Sequence, residues 1–131
     1  MTRRAALAAA LAIFAATPAQ AMQLAGCDTP PGYVSLKARS DLPPVLQGRF
    51  KDYAMPGESF NEGDVGPPGQ GVLSIWHRGK RWILETGHGG IAYWFEVVAF
   101  DVGDGGKTAT PLTVRDGARF CAAVKEFARM P

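Results

Sequence analysis

Three apolar segments decide the fold: VLSIW (72–76), RWILET (81–86) and IAYWFEVVAFDV (91–102). They are separated by His77-Arg78-Gly79-Lys80 and by Gly87-His88-Gly89-Gly90. Strand-length runs of branched and aromatic residues punctuated by glycine turns read as an antiparallel meander. With Arg78-Gly79 as a two-residue loop, Ile75 faces Trp82 and Leu73 faces Leu84 on one side of the sheet. The other side then carries Trp76 opposite Arg81 and Val72 opposite Glu85. The third segment is apolar on both faces: Ile91, Tyr93, Phe95 and Val97 on one, Trp94, Val98 and Phe100 on the other. A strand of that kind is covered twice or pressed to a partner.

Outward from the meander, a turn at Gly103-Asp104-Gly105-Gly106 leads to Thr108–Val114. Pro111 removes a ladder donor there, which makes this strand an edge. From about Asp116, the residues Phe120, Cys121, Val124 and Phe127 recur at three- and four-residue spacing and form the stripe of an amphipathic helix. Asp116 is placed to cap it, and Lys125 and Arg129 suit its negative end. The Ile75–Trp82–Leu84 face is expected to receive this helix.

Towards the N-terminus, Ser40 to Gly48 reads as a short helix, with Pro43 and Pro44 in its first turn and Gly48 at its exit. Residues 49–55 fit a strand or a turn, and 56–71 form a Pro/Gly-rich loop. Met22 to Lys37 is an irregular entry. The fold class expected is a small single α+β domain. In it, a meander of three to five strands is packed by the C-terminal helix, with a short N-terminal helix beside it.

The leader carries two export signals. Arg3 and Arg4 precede a twelve-residue apolar run, Ala5 to Ala16, too short to span a bilayer but suited to a secretory signal peptide. Ala19-Gln20-Ala21 then offers a signal-peptidase site, so residues 1–21 are expected to be removed and 22–131 to form the domain. Six residues on, Leu24-Ala25-Gly26-Cys27 spells a lipobox, whose cysteine would anchor a lipoprotein. Polar residues Thr17, Gln20 and Gln23 separate that string from the apolar run, which favours the conventional cut and a periplasmic protein.

Cysteine parity points the same way. Cys27 and Cys121 are the only two cysteines, and in an oxidising compartment such a pair is expected to bridge. The loop closed would contain 94 residues, worth about 4–5 kcal/mol by chain entropy.

The whole chain carries 14 Lys+Arg against 12 Asp+Glu. Removing Arg3 and Arg4 makes the two equal, so no basic field is left to gather nucleic acid or anionic lipid. No stretch of the mature chain has the length of a membrane helix.

Candidate chemistry is sparse. His77 and His88, the only histidines, are expected as solvated turn residues about 20 Å apart, given about 3.3 Å per strand residue. With both cysteines bridged and no His-x3-His or Cys-x2-Cys spacing, neither a metal nor a cofactor is expected. Asn61, Glu62 and Asp64 could offer oxygens to Ca²⁺, but their spacing is not that of an EF-hand loop, and a solvated loop is the simpler reading. No serine lies in a Gly-x-Ser-x-Gly turn, and no carboxylate pair is singled out, so no catalytic residue is assigned.

Aromatic density remains. Six aromatic residues fall between positions 76 and 100. They build either a core or a binding surface, in which Trp76, Arg81 and Trp94 share an open sheet face. That surface suits a protein partner, with a glycan as the other possibility. The sequence thus reads as an exported envelope protein acting as a binding module. The alternatives are an envelope enzyme working on a wall or glycan substrate through carboxylates, and a lipoprotein assembly factor anchored at Cys27.

Overall fold

A computed structural model describes residues 27–61, 67–90, 94–116 and 120–131. Five antiparallel strands lie in sequence order: β1 (Val34–Leu36), β2 (Gln70–Arg78), β3 (Arg81–His88), β4 (Trp94–Val102) and β5 (Ala109–Asp116). A short helix α1 (Pro44–Arg49) precedes β2, and α2 (Phe120–Arg129) follows β5. This is the small α+β domain that the meander and the helical stripe predict. Pro111 lies in β5, an edge strand, where its missing N–H is tolerated.

The sheet is buried from both sides, and β3 at its centre is buried along all eight residues. On one face, Leu42, Leu46, Phe50 and Met55 pack onto Val72, Ile75, Trp82, Leu84, Val98 and Phe100. On the other, Ala123, Val124, Phe127 and Ala128 of α2 pack onto Trp76, Ile83, Val97 and Ala99. Each fully buried large side chain here contributes roughly 1.5–3 kcal/mol. The strict alternation in β4, Val97 and Ala99 against Val98 and Phe100, is what a doubly covered strand requires.

Several details depart from the sequence reading. The β2–β3 loop is Gly79-Lys80, so Arg78 pairs with Arg81, Trp76 with Ile83 and Ile75 with Leu84. Gly79 has φ of +57°, and a two-residue hairpin with glycine leading needs that left-handed value at its first loop position. A bulge between Val72 and Ser74 then takes Leu73 out of the ladder.

The second departure concerns α2, which covers the Trp76 face rather than the Ile75 face. The chain from Leu42 to Met55 already fills the Ile75 side, including α1 and the turn that follows it. Arg39 fixes that turn by donating to the carbonyls of Phe50, at 2.7 Å, and of Tyr53. Residues 49–55 thus finish a helix and turn, and Ala54 makes a single parallel bridge to Gly71. Asp116 is the last residue of β5, and residues 117–119, between it and α2, lie outside the described residues. The three-residue β1 lay inside the segment expected to be irregular.

Cys27 and Cys121 form the disulfide, with Cα atoms 5.4 Å apart, and it ties the entry segment to the first turn of α2. The leader and residues 62–66, which include Glu62 and Asp64, lie outside the described residues.

Candidate functional site

The three residues proposed as an aromatic platform are not brought together. Trp76 is 1% exposed beneath α2, and its indole N–H donates to Thr29 Oγ1 at 3.2 Å. Arg81 shares that face and is also buried. Its guanidinium pairs with Asp101 at 2.8 Å and donates to the carbonyls of Phe127 (3.0 Å), Met130 (2.9 Å) and Pro131 (2.8 Å). Arg81 is therefore the clamp that ends α2, satisfying carbonyls that a helix end leaves without partners. The same hydrogen bond holds the Asp101 carboxyl below its ordinary range.

Trp94 is different. It lies on the opposite face, 41% exposed, directly across from His88 in the β3–β4 ladder. The indole and imidazole stack at 3.9 Å between centroids, with planes 8° apart. His88 is otherwise enclosed: Tyr53 meets it edge-on at 5.8 Å, and Thr86 Oγ1 lies 3.0 Å from its Nε2. Glu96 Oε2 is 3.7 Å from the same nitrogen and forms an ion pair when the imidazole is protonated. Burial, with the nearby Glu96 charge adding to it, raises the Tyr53 pKa. Val114, 45% exposed, pairs with Val98 and so lies on this face of β5. Trp94, Glu96 and Val114 form a part of the sheet that α1 does not cover.

Both histidines thus sit in strands, not in solvated turns. His77 stacks on Trp82 at 4.4 Å, as His88 does on Trp94. Each partner is the tryptophan directly opposite in the register, a pairing visible in sequence only once the hairpin loops are placed.

Chemically, the His88 group is suited to holding rather than to nucleophilic attack. The Thr86 hydroxyl and the Glu96 carboxylate address the same ring nitrogen, whereas a triad sets its carboxylate on the nitrogen opposite the nucleophile. Thr86 is also 2% exposed.

One cleft, of about 570 Å³, is lined by Pro30, Pro31, Arg78, Lys125, Ala128 and Arg129, with no carboxylate. Two others, of about 530 and 350 Å³, have Glu126 and Asp101 respectively as the acidic residue in their lining. None of these three holds the pair of facing carboxylates that glycoside hydrolysis uses.

One carboxyl stands apart from these surfaces. Glu85, 1% exposed, points from β3 into the α2 face of the sheet. Neither of its oxygens has a hydrogen-bond partner of ordinary geometry among the described residues. Burial pushes its pKa up to about 7, an effect that the Ser74 hydroxyl and the Cys27 backbone only partly offset. Nothing in the sequence marked this residue, because a glutamate in an apolar strand reads as solvent-facing until a helix is known to cover it.

Comparison with known protein families, characterised proteins and solved structures returns no match.

Proposed function

We propose that the chain is an exported bacterial cell-envelope protein that works as a non-catalytic binding module. Its protein partner docks on the uncovered part of the sheet face around Trp94. The observation that carries this reading is the Trp94 indole, 41% exposed and held flat against His88. An aromatic side chain fixed in place before contact loses little rotamer freedom on binding, the property that makes such residues interface anchors. Val114 extends the apolar surface, and Glu96 gives it a polar rim. The leader supports export, and the Cys27–Cys121 bridge fits an oxidising compartment better than a lipid anchor, which would need the same sulfur.

Trp94→Ala tests the reading. It removes one stacked pair, worth about 0.5–1.5 kcal/mol, so the variant folds and melts close to wild type. Chemical crosslinking in native envelopes then loses the adduct that the wild-type chain forms. Unchanged adducts from a folded Trp94→Ala variant would move the binding surface elsewhere.

A further inference from the structure

We propose that Cys27, Cys121 and Glu85 form a binding site for a thiophilic divalent cation such as Zn²⁺, closed while the disulfide stands and opened by a thiol reductant. The site lies on the α2 face of the sheet, away from Trp94, and does not depend on the reading given above.

Three observations place the ion. The two Sγ atoms and a Glu85 carboxylate oxygen lie within 4.8 Å of one another. Two thiolates on one zinc ion sit no more than about 4.6 Å apart, given Zn–S bonds of about 2.3 Å, so small side-chain rotations suffice once the bridge opens. Glu85 is 1% exposed, and neither of its oxygens has a hydrogen bond of ordinary geometry among the described residues, the Ser74 hydroxyl and the Cys27 backbone only partly offsetting its burial. A buried carboxylate whose donors only partly compensate its burial is stabilised by a cation, and here the candidate ligands are in place beside it. Ser74 is the register partner of Glu85 across β2 and β3, so its hydroxyl or a water can fill a fourth tetrahedral position. Two thiolates with one carboxylate suit zinc or cadmium rather than calcium or magnesium.

The chemistry balances as an exchange. Two thiols of the reductant are oxidised to their disulfide while the Cys27–Cys121 bond takes up two electrons and two protons. Metal binding then releases both thiol protons and leaves two Sγ–metal bonds. Cys27 and Cys121 are half-buried, so the bridge is not sealed from a reductant.

The test uses the mature chain, reduced and then freed of reductant, and titrated with Cd²⁺ and Zn²⁺. The reduced wild type takes up one Cd²⁺ per chain with thiolate-to-metal charge-transfer absorption, and Zn²⁺ raises its melting temperature. The oxidised chain does neither. Glu85→Gln weakens binding by more than the roughly 10- to 100-fold that loss of an outer hydrogen-bond partner alone costs. Glu85→Asp, which keeps the charge one methylene further away, also weakens it if the Gln variant does not fold. Equal affinity in wild type and in the folded Glu85 variant would overturn the proposal. So would a reduced wild-type chain whose melting or folding is indifferent to zinc.

Discussion

Glu85 is the residue whose environment has the clearest measurable consequence. In the oxidised, folded chain it keeps its proton up to about pH 7, while in the unfolded chain it ionises near the ordinary value of 4.5. Between those values the unfolded state binds fewer protons, so stability falls as pH rises through the window and levels off above it. The step is on the order of 3 kcal/mol. Glu85→Gln is neutral throughout, and urea midpoints measured across the window should lose this step. Trp76 supplies the second residue-scale prediction. Buried beneath α2, it would cost about 3–5 kcal/mol on truncation to alanine, so Trp76→Ala acts on folding and Trp94→Ala on binding. Thermal melting of the two variants separates them.

At the scale of elements, the seat of α2 is set by contacts distant in sequence. Arg81 on β3 holds its last carbonyls, and Cys121 holds its first turn. Arg81→Ala leaves Asp101 and the helix end without their donor and should cost about 3 kcal/mol in a denaturant titration. Arg81→Lys should recover only part of that, because a single ammonium cannot reach a carboxylate and three carbonyls at once.

The meander, the edge position of β5 and the helical stripe were legible because each rests on local periodicity and turn chemistry. The side of the sheet taken by α2 was not, because both faces of β4 are apolar and either could receive a helix. The register of the first hairpin turned on one glycine, Gly79, whose left-handed φ shifts every pair in the ladder. That shift is of two residues and keeps Trp76 and Arg81 on their expected face; it is the placement of α2 that buries them, while the β3–β4 register sets Trp94 on the opposite face. The disulfide was readable from parity, whereas the carboxyl beneath it required the packed structure.

For the whole molecule, a 94-residue loop closed by one bridge ties the entry segment to the last helix. Replacing both cysteines with serine should lower stability by roughly 4 kcal/mol, with the fold retained, as equilibrium unfolding and far-UV circular dichroism would show. The two faces of the sheet then have separate roles. The α2 face holds the bridge, the Arg81 clamp and Glu85, and the opposite face leaves Trp94 and Val114 open. Site-specific photocrosslinking in intact cells tests the docking patch most directly, with the reactive group placed in turn at positions 94, 114 and, on exposed β1 at the far edge of the same face, 34. Discrete protein adducts at 94 and 114 but not at 34 are the predicted result. The same adducts from all three positions, or none from 94 and 114, would contradict it.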